Sequence, residues 1–344
     1  MKIGIVNDVA MASEALRRAV SLAPEHEIVW MARSGGEAVD MCARQTPDLV
    51  LMDLIMPGMG GEEATRRIMA ATPCMILIVT YSVNSNAARV FEAMGYGALD
   101  AVNTPALGSG DIRKGAAALL AKIATLGKRL GPNRDYDDVV ATRRRSARGG
   151  KPLVAIGASA GGPAAIAMIL AALPTTLQAS VVVVQHVDAR FAEGMAEWLG
   201  QHSNLPVRLA REDDRLIPGR ILIAGTGDHL TLKSPEHLGY TAEPVDYAYR
   251  PSVDVLFHSV ARLWMGSAIG ILLTGMGDDG ARGLKAMRMK GHHTIAQDQA
   301  SSAVYGMPKA AALARAAVEV LALTLVAPRI TELVATQSET RATG

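Results

Sequence analysis

The 344-residue sequence has few aromatic residues, few cysteines, no long apolar run and almost no net charge. Phe, Trp and Tyr make up 4% of the chain, too little for a surface on which bases stack. The formal net charge of +2 gives no sign of a nucleic-acid-binding surface either. We therefore expect no nucleic-acid partner.

The lack of long apolar runs and the small number of cysteines also indicate the cellular compartment in which the protein works. No apolar run approaches the roughly 18 residues of a membrane span, and no signal-peptide pattern opens the sequence. Cys42 and Cys74 are far apart in the sequence and have no metal-ligand companions at useful spacing. We expect a cytoplasmic protein without membrane insertion, in which both cysteines are buried free thiols.

What the sequence does contain is a candidate nucleophile in residues 154–163, VAIGASAGGP. An apolar run, a glycine-rich turn and a proline at a first helical position predict a strand, a turn and a helix. Gly157 and Gly161 flank Ser159 as G-x-S-x-G, which suits an exposed nucleophile on a sharp turn. The N–H of Ala160, near the helix start, would face a developing oxyanion. A phosphate-binding glycine turn remains an alternative, although neither G-x-G-x-x-G nor a P-loop lysine is present.

A serine needs a base beside it, and two later segments offer one. Residues 181–186, VVVVQH, end on His186, and residues 269–280, IGILLTGMGDDG, end on a pair of aspartates that includes Asp279. Each group follows a predicted strand, where open α/β sheets gather their active sites. Ser159, His186 and Asp279 are therefore a candidate nucleophile, base and orienting carboxylate. A structural histidine and a simple Gly-Asp-Asp-Gly turn remain the alternatives.

Two further residues are candidates for contacts with substrate. Met276 lies between Gly275 and Gly277, so its backbone N–H is free to adopt unusual geometry and is a second candidate for the oxyanion. Arg250 lies in a loop-like segment and would hold an acidic stretch of substrate, or else form a surface ion pair.

The first half predicts a second α/β domain. Residues 1–126 alternate five short apolar runs with five amphipathic patterns, which indicates a parallel sheet covered on both faces. Asp8 follows the first run, Asp53 closes the third and Thr80 ends the fourth. Two carboxylates in one cleft suit Mg²⁺, although aspartates at strand ends are also common turn formers.

Charged, aperiodic sequence separates the halves. We assign a linker to residues 127–151, the second domain to 152–328 and a C-terminal tail to 329–344. Within the tail, residues 335–344 lack apolar periodicity, so we expect them to be frayed.

Six phrases of the second half carry a family resemblance. They are GASAGG at 157–162, QH at 185–186, RPSVDVLFH at 250–258, LTGMGDDG at 273–280, TIAQD at 294–298 and YGMP at 305–308. Together, over about residues 152–325, they resemble the catalytic domain of chemotaxis-type protein-glutamate methylesterases (CheB). The resemblance implies a triad of Ser159, His186 and Asp279, with Asp278 at a position often held by Asn. The implied reaction is hydrolysis of glutamate methyl esters on a methyl-accepting chemotaxis-type receptor, often with glutamine deamidation, and without a cofactor. The order Ser, His, Asp also disfavours the α/β-hydrolases.

The first half resembles a response-regulator receiver, a flavodoxin-like doubly wound domain, chiefly through residues 53–58, DLIMPG. The resemblance implies that Asp53 accepts a phosphoryl group from a chemotaxis-type histidine kinase. It also implies Mg²⁺ ligation by Asp8, Asp53 and the carbonyl of Ile55, and a switch role for the Thr80 hydroxyl.

Two positions depart from that receiver pattern. The first acidic position is Asn7, and Thr104 stands where a lysine is usual, so the cation that meets the phosphoryl group is missing. The opening IGIVND and the NTP at 103–105 resemble the methylesterase of Wsp-type surface-sensing pathways.

We thus expect two doubly wound domains, a receiver and an α/β methylesterase that the receiver controls by phosphorylation. A phosphorylation-dependent receptor-binding module without catalysis and an unrelated hydrolase of small esters are the alternatives.

Overall fold

Buried strands alternate with helices in both halves of the chain. The structure, a computed structural model, describes residues 1–105, 112–128 and 151–342. The chain divides into two compact units, Met1–Pro132 and Asn133–Gly344. Most of the linker predicted at 127–151, namely residues 129–150, lies outside the described residues.

The first unit is a five-stranded parallel sheet in the order β2-β1-β3-β4-β5. All residues of β3 and β4 are buried, because apolar strands of a parallel sheet are covered on both faces. The doubly wound fold predicted for residues 1–126 is confirmed. Its elements are β1 (Lys2–Val6), α1 (Ala10–Val20), β2 (Glu27–Ala32), α2 (Gly35–Arg44), β3 (Leu49–Asp53), α3 (Gly61–Ala71), β4 (Met75–Thr80), a 3₁₀ turn (Asn84–Asn86), α4 (Ala87–Gly95), β5 (Asp100–Asn103) and α5 (Ile112–Lys128).

The second unit has a seven-stranded parallel sheet, in the order β15-β14-β13-β6-β7-β10-β8, and a small antiparallel sheet, β11-β12-β9. The small sheet was not predicted. The elements are β6 (Leu153–Ala158), α6 (Gly162–Ala172), β7 (Ser180–Gln185), α7 (Ala189–Gln201), β8 (Val207–Leu209), β9 (Asp214–Arg215), β10 (Ile221–Ile223), β11 (His229–Leu232), β12 (His237–Thr241), α8 (Val253–Leu263), β13 (Ala268–Leu272), α9 (Ala281–Met289), β14 (His293–Gln297), α10 (Met307–Leu313), β15 (Glu319–Leu321) and α11 (Leu323–Ala342).

The centre of the large sheet positions the site. β6 lies between β7 and β13, and the chain order reverses there. Ala158 pairs with Gln185, and Gly157 pairs with Leu272. The three loops that follow these strands therefore meet at one edge of the sheet, which is where ligands bind in open α/β folds.

The end of the chain differs from the prediction. Helix α11 runs through the boundary expected at 328, and Ile330 and Val334 are buried on it. Residues four apart share one helical face, so this pair packs although the segment as a whole has weak periodicity. The segment that we assigned to a C-terminal tail at 329–344 is helical up to residue 342, including most of the part expected to be frayed.

The two cysteines, distant in sequence, meet in the first unit. Cys42 on α2 is buried, Cys74 before β4 is half-buried, and their thiols are hydrogen-bonded to each other. Both are free cysteines, and packing of α2 against α3 accounts for the contact.

Candidate functional site

The turn after β6 presents Ser159. The Ser159 N–H donates to the carbonyl of Thr274 (3.0 Å), and the N–H of Gly162 donates to the Ser159 carbonyl (2.8 Å). Gly161 has a φ of +79°, in the left-handed region that glycine tolerates best. The side chain is 1% exposed, and its Oγ has no hydrogen-bond partner among the described residues. The Ser159 hydroxyl is therefore buried and makes no hydrogen bond within the described residues.

His186 lies next to this turn. Its N–H donates to the carbonyl of Ala158 (3.0 Å), so His186 and Ser159 follow neighbouring parallel strands, whose axes lie about 4.8 Å apart. The imidazole stacks on the buried ring of Tyr249, with 4.6 Å between centroids and an interplanar angle of 19°. This stacking restricts the ring's orientation.

Asp279 holds the other side of the imidazole. His186 Nε2 and Asp279 Oδ2 are 2.7 Å apart, and both side chains are buried. The carboxylate also accepts hydrogen bonds from Ser252 Oγ (2.7 Å) and from the backbone N–H groups of Val253 (2.7 Å) and Asp254 (3.1 Å). These donors are the N-terminus of α8, where unpaired N–H groups and the helix dipole favour an anion.

These contacts decide the charge on Asp279. Burial alone would raise its pKa, but the hydrogen bond and charge of His186 and the hydrogen bonds from Ser252 and Val253 outweigh burial, so the pKa lies below the usual range. The neighbouring Asp278 is exposed. Asp279 is therefore the aspartate of this pair that can orient the imidazole as a carboxylate.

The arrangement assigns different tasks to the two ring nitrogens of His186. A carboxylate beside Nε2 favours the tautomer with the proton on Nε2. Nδ1 then carries the lone pair, and Ser159 follows the neighbouring strand; transfer of the Ser159 hydroxyl proton to Nδ1 stays a prediction. This is the chemistry of a Ser-His-Asp hydrolase.

Both predicted oxyanion donors lie beside Ser159. Ala160 follows it directly, and a Cβ placed on Gly275, the neighbour of Met276, would come within 2.8 Å of the Ser159 Cβ. Within the described part of the chain, the N–H groups of Ala160 and Met276 make no hydrogen bond. Their role in binding an oxyanion stays a prediction.

Two residues that organise these loops were missed in the sequence. The amide of Gln185 donates to the carbonyls of Ser159 (2.9 Å) and His186 (3.1 Å). The hydroxyl of Thr274 donates to the carbonyl of Ala160 (2.8 Å). Both side chains are buried at strand ends, and a buried polar group needs partners, so their position was the available signal.

Arg250 binds the protein itself. Its guanidinium donates to the carbonyls of Gly227 and Val245 and forms an ion pair with Asp228 at 2.8 Å. This corresponds to the ion pair that we gave as the alternative; the substrate role stays a prediction.

The predicted phosphorylation site lies at the carboxyl ends of β1 and β3. Asp53 is 8% exposed, and its pKa is raised to about 6, first by burial and further by the charge of Asp8. Asp8 Oδ1 is buried without a hydrogen-bond partner among the described residues. Two neighbouring carboxylates, one of them with an unpaired oxygen among the described residues, fit a hard cation.

The rest of a cation site comes from the backbone. In the described ranges, no group of three His, Cys, Asp or Glu side chains could hold a metal. Asp8, Asp53 and the carbonyl of Ile55 would suit Mg²⁺, which keeps several waters of its own. The predicted switch residue, Thr80, accepts a hydrogen bond from the Asn86 amide at 3.1 Å.

The fold and the site together define a class of protein. Its members combine a receiver-type α/β unit with a second α/β unit that carries Ser, His and Asp at the ends of its strands. Among the described residues, no helix combines the length and apolar character needed to cross a membrane. The CheB methylesterase family model matches residues 154–330, and the response regulator receiver domain model matches residues 3–112. The chain belongs to the CheB methylesterase family.

Individual relatives agree with this assignment. The "protein-glutamate methylesterase/protein-glutamine glutaminase 3" of Pseudomonas aeruginosa is 60% identical over 335 residues, which cover 97% of this chain and 99% of that protein. A protein-glutamate methylesterase/protein-glutamine glutaminase of Mesorhizobium japonicum is 56% identical and covers 96% of this chain and 98% of its own. The crystal structure of the Thermotoga maritima CheB methylesterase catalytic domain is 31% identical, with a TM-score of 0.51, and covers 54% of this chain and 99% of its own.

Proposed function

We propose that this protein is a receiver-controlled protein-glutamate methylesterase that also deamidates glutamine. The observation that carries the proposal is the buried His186 and Asp279 pair beside the unengaged hydroxyl of Ser159. Both relatives are more than 50% identical to this chain over nearly its full length. Their names, protein-glutamate methylesterase/protein-glutamine glutaminase, support both activities.

In the proposed reaction, Ser159 Oγ attacks the carbonyl carbon of the glutamyl methyl ester while His186 Nδ1 takes the hydroxyl proton. Asp279 stabilises the imidazolium, and the N–H groups of Ala160 and Met276 bind the oxyanion. His186 then protonates the departing methanol and leaves an acyl-enzyme. Water, deprotonated by the same imidazole, releases the glutamate carboxylate; with a glutamine side chain the leaving group is ammonia. The esterase needs no cofactor in this scheme.

The first unit would control this reaction through phosphorylation of Asp53. A chemotaxis-type histidine kinase is the proposed phosphodonor. Asp8, Asp53 and the Ile55 carbonyl would hold Mg²⁺, which would neutralise negative charge at the site. Thr80 would turn its hydroxyl from Asn86 towards the phosphoryl group. The substrate is the methylated side chain of a methyl-accepting chemotaxis-type receptor. The Wsp-type pathway and the cytoplasmic location stay predictions.

The test of catalysis is methanol release from a methylated receptor. We expect release by the wild type and its loss in Ser159→Ala. Ser203→Ala, after α7 at the opposite edge of the sheet, is a matched control that should keep full activity. Receptor binding without methanol release by the wild type would favour the binding module instead. Hydrolysis of small esters but not of receptor would favour the unrelated hydrolase.

The test of control is the receptor demethylation rate with and without a small-molecule phosphodonor. We expect stimulation in the wild type and none in Asp53→Asn. Equal stimulation of both proteins would refute Asp53 as the switch.

A further inference from the structure

The phosphorylation site of the first unit lacks a charge at the end of β5. Thr104 occupies the position, and its N–H donates to the carbonyl of Thr80 at 2.8 Å. A threonine hydroxyl is neutral, whereas an aspartyl phosphate brings about −1.5 to −2 charges. The nearby carboxylate of Asp8 adds further negative charge, so a cation besides Mg²⁺ would be favourable near the phosphoryl group.

A guanidinium from helix α4 lies close to this place. Arg89 Nη2 is 3.3 Å from the carbonyl oxygen of Leu54, the residue that follows Asp53. The positive charge of Arg89 also lowers the pKa of Asp53, against the larger effect of burial. The two side chains are thus near enough to interact although they come from different elements.

Arg89 is paired with Glu62 in this structure. Its Nε and Nη2 both contact a single oxygen, Glu62 Oε1, at 3.0 and 2.5 Å. The Arg89 side chain is 40% exposed, whereas the Glu62 side chain is 19% exposed and its Oε2 has no hydrogen-bond partner among the described residues. Nη1 of Arg89 has no hydrogen-bond partner in the described residues. Arg89 therefore has an N–H group to spare, and a more highly charged anion would compete with Glu62 for its guanidinium.

We propose that Arg89 is the cation that binds the phosphoryl group of phosphorylated Asp53 in place of the missing lysine, and that it leaves Glu62 to do so. A guanidinium presents two parallel N–H groups to phosphate oxygens, which suits this role. The proposal rests on phosphorylation of Asp53, in which a carboxylate oxygen forms the bond to phosphorus and the donor's own bond to phosphorus breaks. Arg89 transfers no proton; it only neutralises charge. Since it belongs to α4, its movement would couple that helix to phosphorylation.

The experiment uses the full chain and beryllofluoride with Mg²⁺ as a stand-in for the phosphoryl group, with binding followed by fluorine NMR. Arg89→Gln should weaken binding about tenfold, the effect of losing a charge-assisted hydrogen bond. Glu62→Gln should tighten binding severalfold, because it releases Arg89. Adding Thr104→Lys to Arg89→Gln should restore binding. Arg67→Gln, which breaks the exposed pair with Glu63, is the matched control and should change nothing.

The opposite effects expected of Arg89→Gln and Glu62→Gln on beryllofluoride binding distinguish the proposed role from a structural one. If the pair only braced the fold, Arg89→Gln and Glu62→Gln would weaken binding together, and that result would overturn the proposal. Wild-type binding by Arg89→Gln would overturn it as well. Absence of binding by the wild type, together with absence of Asp53 phosphorylation, would instead refute the proposed phosphorylation and the inference with it.

Discussion

Replacing Asp279 by asparagine would remove the charge from the most enclosed polar position of the candidate active site. The side chain is fully buried, and four donors face it: Nε2 of His186, Oγ of Ser252, and the N–H groups of Val253 and Asp254. A carboxylate accepts from all four. An asparagine offers one acceptor oxygen, and its NH₂ group must face two of the donors.

Either orientation of the new amide is unfavourable. With NH₂ at the Oδ2 position it meets the Val253 N–H and His186, and the imidazole can accept only by moving its proton to Nδ1, which removes the base from Ser159. With NH₂ at the Oδ1 position it leaves the Asp254 N–H without an acceptor. A buried unpaired donor costs about 1–3 kcal/mol of folding stability. A histidine in the wrong tautomer costs about 10⁴-fold in kcat in a Ser-His-Asp hydrolase.

The assay is methanol release from methylated receptor, with thermal unfolding measured on the same preparations. Asp278→Asn is the matched control, because that aspartate is exposed and adjacent in sequence. We expect Asp279→Asn to lose at least about 10³-fold in kcat and to unfold more easily, and Asp278→Asn to resemble the wild type. A nearly active Asp279→Asn beside an inactive Asp278→Asn would refute the assignment of the carboxylate.

Three further predictions test other parts of the two units. Ser252→Ala should lower stability by about 1–3 kcal/mol and reduce kcat, because it removes a buried donor to Asp279 and a helix cap; wild-type melting and kinetics would contradict this. Gln185→Leu should lower kcat more than it raises KM, because it removes the hydrogen bonds that position the loops of Ser159 and His186 but leaves both residues in place. A change in KM alone would argue against a positioning role for Gln185. Asp53→Asn without Mg²⁺ should be more stable than the wild type at pH 7, by at most about 3 kcal/mol, and the difference should vanish below pH 4. The sign follows because the folded pKa of about 6 is above the ordinary value of about 4, so the wild type loses stability as the pH rises through that interval. Denaturant titrations at both pH values measure it, and a difference of opposite sign would contradict the raised pKa.

The convergence of the site on one sheet edge was predictable, because it depends on strand direction alone. Ser159 and His186 each follow a buried apolar strand, and parallel strands end at the same edge. Strand order was not predictable from these patterns. That β7 pairs directly with β6, in the register Ala158 to Gln185, depends on long-range packing that local periodicity does not report.

The choice between Asp278 and Asp279 shows a different limit of prediction from sequence. Asp278 and Asp279 are equivalent in composition and spacing, and only family resemblance favoured the second. In the structure one is exposed and the other is fully buried, because the loop after β13 turns Asp279 towards the start of α8. A helix could be predicted there from periodicity, but not the distant carboxylate that its N-terminus faces.

The contact between Asp279 and the N-terminus of α8 explains why a helix N-terminus is part of the candidate active site. An isolated buried carboxylate would take up a proton, and a protonated acid would not hold the imidazolium of His186. The hydrogen bond and charge of His186 have the largest effect in lowering the pKa of Asp279, and the hydroxyl of Ser252 and the N–H of Val253 lower it further without adding a charge of their own. Because Ser252 and Val253 are placed by the N-terminus of α8, the charge on Asp279 depends in part on that helix being folded.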